Sequence, residues 1–182
     1  GDLDIIIVGA TNSKIKSNTF IRNENQNNDN YIQNLDNPSV ALFGEFVYFM
    51  GKTDDESIRL YRKSLVSGQT EEMDVIPGLI KGAISIADYN NDGFEDMVLT
   101  GENESAESIT KIYDGNNSYF GFSENTDITL IGLRNSTAKW VDYDLDGDLD
   151  LFLSGTSDDG EFSKLYRTDL LNKNNTPSQV IT

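Results

Sequence analysis

The sequence predicts an all-β fold, specifically a partial β-propeller of about three and a half to four blades, each a four-stranded antiparallel sheet. The first observation is that the apolar segments are only four to six residues long. They are rich in Ile, Val, Leu, Phe and Tyr and are separated by Gly, Asn, Asp and Ser, which is typical of strands joined by turns. The second is that these segments recur every 42 to 54 residues, a period typical of propeller blades.

The strongest recurring element is a glycine-bounded apolar segment with acids before it. GDLDIIIVG, GFEDMVLTG and GDLDLFLSG align without gaps, and GEFVYFMG is a fourth copy that has lost the acids; they occupy residues 1–9, 93–101, 147–155 and 44–51. A tyrosine-containing segment follows each of the last three, as LYRK, KIYDG and LYRT at 60–63, 111–115 and 165–168. The recurrence of several elements in one order favours repeated units over a β-sandwich with coincidental similarity.

These recurrences divide the chain into four predicted repeats, residues 1–37, 38–81, 82–135 and 136–182. For the third repeat we place the strands near Ala83–Ala87, Met97–Thr100, Ile109–Tyr113 and Asp127–Ile131. We expect Ser178–Thr182 to be the fourth strand of the last repeat and Asn23–Asn30 to be a surface loop.

Composition narrows the classes of partner. The chain has 31 acidic and 14 basic residues, a net charge of −17 and no histidine, which disfavours a nucleic-acid groove or an anionic membrane surface. No apolar run approaches the roughly 18 residues needed to cross a bilayer. Cysteine is absent, so disulfides, thiolate metal sites and cysteine nucleophiles are excluded. Hard cations are the partners that this charge favours.

Two complete acidic loops contain the residues that we expect to bind a metal ion. Both follow the pattern D-x-(D/N)-x-D-G-x-x-D, in which side-chain oxygens at positions 1, 3 and 5 converge on one point and the glycine permits a sharp turn. A backbone carbonyl at position 7 and a carboxylate at position 9 would complete a shell of hard oxygens, which selects calcium over zinc or copper. The predicted ligand sets are Asp88, Asn90, Asp92, Phe94 and Asp96, and Asp142, Asp144, Asp146, Asp148 and Asp150.

An EF-hand shares the first positions of this pattern but requires a glutamate at position 12 and flanking helices. Position 12 is Leu99 or Leu153, within segments typical of strands, so the EF-hand is rejected. The other alternative is a solvated turn without metal, which the regular alternation in two copies disfavours. The second loop offers four ligand carboxylates against three in the first, and the side chain of Asp148 adds a further charge, so we expect it to bind calcium more tightly.

The two loops and their flanking segments resemble the FG-GAP or VCBS repeats of integrin-α-like propellers and of many secreted bacterial proteins. The resemblance implies a calcium loop between the first two strands of each blade. Gly1, Asp2, Leu3 and Asp4 match positions 6 to 9 of such a loop, so we expect further blades upstream and a third, partial site at Asp2 and Asp4. Whether further blades also follow downstream is left open.

The function expected from this resemblance is a non-catalytic scaffold on a secreted or cell-surface protein, of bacterial origin, that binds an extracellular protein or glycan and contacts the rest of its own chain. One alternative is a lectin whose exposed aromatics would come from Trp140, Tyr143 or Tyr89, although Trp140 before a loop also fits packing between blades. Tyr61, Tyr113 and Tyr166 recur at one position and are expected in the core. A third possibility is the accessory domain of a larger extracellular enzyme.

Overall fold

A computed structural model describes residues 5–10, 17–22, 30–118 and 121–168. Every regular element in these ranges is a β-strand, apart from a single residue at Thr168. The strands pair antiparallel. The all-β class is therefore confirmed. Within the described residues, none forms a helix of the length and apolarity required to cross a bilayer.

The chain divides into two compact units, residues 1–80 and 81–182. The first unit contains one six-stranded sheet with its strands in chain order. Its strands are β1 (Ile5–Ala10), β2 (Ser17–Arg22), β3 (Asn30–Phe43), β4 (Phe46–Lys52), β5 (Ile58–Ser64) and β6 (Thr70–Glu72). Leu35, Val47 and Phe49 form its buried cluster, against which Tyr61 packs.

The six-stranded sheet differs from the predicted four-stranded blades. Strand β3 is 14 residues long and passes through the predicted repeat boundary at residue 37, pairing with β2 through its first part and with β4 through its second. The register shifts between Asp36 and Ser39, around Pro38, which has no backbone N–H to give to the ladder. A long strand with a local irregularity thus joins segments that the recurrence assigned to separate sheets. The predicted loop Asn23–Asn30 lies outside the described residues except for Asn30, which begins β3.

The second unit contains two sheets. The four-stranded sheet has the order β10-β9-β8-β7, and the three-stranded sheet has the order β11-β12-β13. Their strands are β7 (Ile80–Ala87), β8 (Asp96–Glu102), β9 (Ser108–Gly115), β10 (Phe122–Glu124), β11 (Arg134–Val141), β12 (Asp150–Ser157) and β13 (Gly160–Tyr166). The segment Ser178–Thr182, predicted as a fourth strand of the last sheet, lies outside the described residues.

The predicted fourth strand Asp127–Ile131 is wrong. The fourth strand is β10, five residues earlier, and residues 127–131 are irregular. The Asn125 side chain explains the difference, because its Oδ1 accepts the N–H groups of Asp127 (3.0 Å) and Ile128 (3.2 Å) and turns the chain out of the ladder. The apolar residues that suggested a strand pack against the core of the second unit instead; they are Ile128, Leu130 and Ile131.

The two sheets of the second unit bury a common core. Val98 and Ile112 come from the four-stranded sheet, and Leu151, Leu153 and Tyr166 come from the three-stranded sheet. Period-two alternation places these side chains on the facing surfaces of the sheets. Tyr113 and Tyr166 are buried, as the sequence predicts, and Tyr61 is partly buried.

Replacement of Val98 by Ala should lower the free energy of unfolding by about 2 kcal/mol, because Val98 is fully buried and its loss leaves a cavity between the sheets. Val141→Ala is the matched control. Val141 is 40 % exposed, so its replacement should cost less than about 0.5 kcal/mol. Urea unfolding measures both values, and equal costs would contradict the described core.

Candidate functional site

The two acidic loops lie at equivalent places in the two sheets of the second unit. Residues 88–95 connect β7 to β8, and residues 142–149 connect β11 to β12. The last acid of each pattern, Asp96 or Asp150, is the first residue of the following strand. Each loop therefore begins and ends on neighbouring antiparallel strands, as the sequence predicts.

The two loops share an unusual backbone conformation. Gly93 and Gly147, at position 6, have φ values of +89° and +95°, in the region that glycine adopts without steric cost. Position 4 is also left-handed in both loops, at Asn91 (φ 58°) and Leu145 (φ 61°). Asn tolerates this region better than Leu does. Leu145 adopts the left-handed conformation at an energetic cost. The acids and the glycine therefore determine the loop conformation, and the residue at position 4 follows it.

In the first loop, the side-chain oxygens accept hydrogen bonds from the loop's own amides. Asp88 accepts from the N–H groups of Asp92 and Gly93, each at 3.0 Å. Asn90 Oδ1 accepts from Asp92 N–H at 2.9 Å, and Asp92 Oδ1 accepts from Phe94 N–H at 2.9 Å. These bonds curl the loop and place an oxygen from each of positions 1, 3 and 5 on the loop's own amides.

Asp96 closes the base of the first loop. It is completely buried, and its two oxygens accept the N–H groups of Tyr89 (3.0 Å) and Gly115 (2.8 Å). It thereby joins the loop to the end of β9. Burial raises the pKa of Asp96 to about 6, further raised by the negative charges of Asp114 and Asp92, although the two backbone N–H groups oppose the shift. A positive charge near this carboxylate would favour its ionised form.

The second loop brings three carboxylates together. Oxygens of Asp142, Asp144 and Asp146 all lie within 4.8 Å of one another. The loop has fewer internal hydrogen bonds than the first: Asp142 accepts from Gly147 N–H at 3.3 Å and Asp146 from Asp148 N–H at 3.1 Å. Its carboxylates are therefore less fully engaged with the loop's own backbone.

Asp150 occupies the same place in the second loop as Asp96 does in the first. It is 3 % exposed and accepts the N–H of Thr168 at 3.3 Å, just beyond β13. Burial raises the pKa of Asp150, and the charges of Asp144 and Asp146 raise it further, while the amides of Thr168 and Tyr143 act in the opposite direction. The negative charges of the loop therefore disfavour the ionised form of Asp150.

Unpartnered polar atoms concentrate around the second loop. Among the described residues, four buried side-chain polar atoms lack a partner with hydrogen-bond geometry, and three of them belong to Asp142 (Oδ1), Asp150 (Oδ2) and Thr168 (Oγ1). Leaving such atoms without a partner is costly, and a bound ion is one explanation for a native group of this kind. A group of hard oxygen donors with unsatisfied lone pairs fits a cation such as calcium.

Arg167 lies over the carboxylates of the second loop, a contact that the sequence analysis missed. Its Nη2 is 3.2 Å from Asp144 Oδ2 and 3.5 Å from Asp146 Oδ2. At the equivalent position, near the end of β9, the first repeat of this unit has Asp114 instead. Asp114 accepts from the Tyr89 hydroxyl (3.1 Å) and from Asn125 Nδ2 (2.9 Å), and burial raises its pKa.

The two loops are also linked to each other. Asn91 Nδ2 of the first loop donates to Asp148 Oδ1 of the second at 3.3 Å. Beside them the Tyr89 and Trp140 rings stack, with centroids 4.7 Å apart and planes 3° apart. Tyr89 is 3 % exposed and Trp140 is partly buried, so of the three aromatics considered for a lectin site only Tyr143, at 51 %, is exposed. Trp140 is confirmed as a residue that packs between sheets.

The structure brings the side chains of Asp142, Asp144 and Asp146 together in the second loop. In the first loop, the predicted side chains at positions 1, 3 and 5 accept hydrogen bonds from the loop's own amides. The Asp148 side chain is bonded to Asn91, and the Asp96 and Asp150 carboxylates are buried at the loop bases. The predicted roles of the ligands, including the backbone carbonyl of Phe94, stay predictions. Asp2 and Asp4, the predicted partial site, lie outside the described residues.

Residues 88–153 match the FG-GAP-like repeat family. The match covers both acidic loops and confirms the family resemblance for this part of the chain. A comparison with curated proteins gives no match. Among solved structures, the chain is similar to an exo-β-1,3-galactanase from Phanerochaete chrysosporium, solved as a variant with β-1,3-galactotriose, at 13 % identity and a TM-score of 0.48. The similarity covers 84 % of this chain but only 39 % of the galactanase chain.

Replacement of Asp96 by Ala should lower the free energy of unfolding by about 2 to 4 kcal/mol even with a chelator present, because two backbone N–H groups lose their buried acceptor. Glu95→Ala removes the same charge at the adjacent exposed position and should cost less than about 0.5 kcal/mol. Urea unfolding in chelator compares them. A small cost at Asp96 would mean that this carboxylate serves a cation alone and does not hold the sheet.

Proposed function

We propose that this chain is a calcium-stabilised, non-catalytic β-propeller scaffold of a secreted or cell-surface protein, which presents its loops to an extracellular protein or glycan. The observation that carries the proposal is the second loop, where three carboxylates lie within 4.8 Å of one another above a buried Asp150 with an unpartnered oxygen. Three negative charges so close together repel one another, and the single positive charge of Arg167 offsets only part of that repulsion. The family match over residues 88–153 supports the same conclusion.

Calcium is the cation that the donor set favours. Every predicted ligand is a carboxylate, an amide oxygen or a backbone carbonyl, and calcium accepts six to eight such hard oxygens in a flexible shell. Asp142, Asp144, Asp146 and Asp150 would hold it in the second loop; Asp88, Asn90, Asp92 and Asp96 would hold it in the first. The bound ion would supply positive charge that links neighbouring strands, and it would take part in no reaction.

The propeller architecture is supported by a comparison of equivalent positions in the second unit. Tyr89, Val98 and Ile112 are buried in the core between the two sheets. Their equivalents in the three-stranded sheet are Tyr143, Phe152 and Leu165, which line an open groove of about 460 Å³. A face that repeats a packing surface is suited to receive another sheet in the same manner, which is how blades follow one another in a propeller.

The non-catalytic assignment is based on the available chemistry. The sequence has no histidine or cysteine, and the clustered acids lie in the spacing of metal loops. Paired carboxylates can serve glycoside hydrolysis, but there they flank a substrate cleft. If the full protein is an enzyme, we expect this chain to be an accessory domain to it.

Calcium at about 100 times its Kd should stabilise the protein by about 2.7 kcal/mol for each occupied site, raising Tm by several degrees. Differential scanning calorimetry with calcium and then with excess chelator measures this. A variant that removes a ligand pair from each loop, D88N/D92N/D144N/D146N, should lose the response, and magnesium should give a smaller one. An unchanged Tm in calcium, with no heat of binding by calorimetric titration, would contradict calcium binding.

A lectin is the second candidate, favoured by the exposed Tyr143 at the edge of the groove, with Asp142 and Lys164 beside it. A glycan array separates the candidates. If the groove is a face for sheet packing, Tyr143→Ala should leave the glycan-binding profile of the chain unchanged in the presence of calcium. Calcium-dependent binding that Tyr143→Ala abolishes would establish the lectin instead, with Leu42→Ala as the control because Leu42 is a similarly exposed apolar residue of the other unit.

A further inference from the structure

We propose that Arg167 is a built-in counter-ion of the second acidic loop, which an incoming cation must displace, and that this residue makes the second site weaker than its carboxylates alone predict. The inference rests on the proposed calcium function and concerns the regulation of the same site. It adds a residue outside the loop that sets the affinity of the loop.

The geometry places the guanidinium on the proposed ligands themselves. Arg167 Nη2 lies 3.2 Å from Asp144 and 3.5 Å from Asp146, at positions 3 and 5 of the loop. Both of these carboxylates belong to the group that converges within 4.8 Å. A cation bound to those oxygens would experience the positive charge of Arg167 at short range, so the guanidinium has to move away or remain at an electrostatic cost.

The first loop provides an internal comparison with the opposite charge. Gly115 and Thr168 are equivalent, since each donates its backbone N–H to the buried aspartate at the base of its loop. The residue immediately before each is therefore also equivalent, and it is Asp114 in the first repeat and Arg167 in the second. The Tyr89 hydroxyl and the Asn125 amide hold Asp114 in place.

Asp114 would act on its loop in the opposite direction. It accepts from the hydroxyl of Tyr89, the second residue of the first loop, and it precedes Gly115, whose N–H reaches Asp96 at the loop base, so its charge lies beside this loop. Added negative charge beside a loop attracts a cation, whereas Arg167 repels one and already neutralises part of the charge. The expected advantage of the second loop, four ligand carboxylates against three, is thereby offset.

Arg167 would also have a role when no cation is present. The acids of the second loop repel one another, and the guanidinium relieves part of that repulsion. Its removal should therefore have two effects of opposite sign: the metal-free protein becomes less stable, while the affinity for the cation rises. If Arg167 only packed against the loop, its removal would lower both the stability of the metal-free protein and the affinity for the cation.

The test uses the full 182-residue chain with the first loop silenced by D88N/D92N, so that calorimetric titration with calcium reports the second loop alone. In this background Arg167→Gln should tighten binding on the order of ten-fold and lower the Tm measured in chelator. Arg167→Lys keeps the charge and should bind calcium as weakly as the parent. Arg134→Gln is the matched control for net charge, because Arg134 pairs with Asp158 away from both loops; its calcium affinity should change less than two-fold.

The outcomes separate the two proposals. If the parent binds calcium and Arg167→Gln binds no more tightly than Arg134→Gln, the counter-ion role is wrong and the calcium function stands. If neither the wild-type chain nor any variant binds calcium, both are wrong. The reciprocal variant Asp114→Asn, with the second loop silenced by D144N/D146N, should weaken binding at the first loop, and tighter binding there would overturn the electrostatic argument.

Discussion

The second unit depends on a buried carboxylate at the start of the second strand of each sheet. Asp96 accepts the backbone N–H of the last residue of the third strand, and Asp150 accepts the N–H of a residue just beyond it, so each joins a loop, the strand it enters and the end of a neighbouring strand. A charge in this place is costly to bury and needs donors or a cation nearby. The acidic loop lies directly above it, which concentrates negative charge where a divalent cation would offset the cost of burial.

The two repeats of this unit keep that arrangement and change what surrounds it. The positive φ at positions 4 and 6 is the same in both loops, although the residue at position 4 is Asn91 in one and Leu145 in the other. The charge beside the loop is reversed, from Asp114 to Arg167. The two repeats thus share the backbone conformation of the loop. The charge around the loop differs because of residues outside the loop pattern.

Features specified by residues close together in the sequence could be predicted, whereas contacts between distant segments could not. The glycine and alternating acids specify the loop within nine residues, and the short apolar segments specify three of the four strands around the first loop. Asp127–Ile131 looked like a strand because it is apolar, but the Asn125 side chain turns the backbone before it. The aligned segments KIYDG and LYRT show that the two copies differ in charge, with Asp114 opposite Arg167. The contacts of Arg167 with Asp144 and Asp146 depend on which strands lie side by side, and the recurrence alone does not give that.

The links between the two loops couple the two sheets of the second unit. Asn91 reaches Asp148 of the next loop, and Tyr89 stacks on Trp140 at the end of the next sheet's first strand. Order in one loop therefore favours order in the next, because both contacts need Tyr89 and Asn91 held in fixed positions. A cation in the first loop would hold them through Asp88, Asn90 and Asp92, which surround these residues in the chain. Cation binding and sheet packing would then stabilise the same set of contacts, which makes the loops part of the scaffold rather than attachments to it.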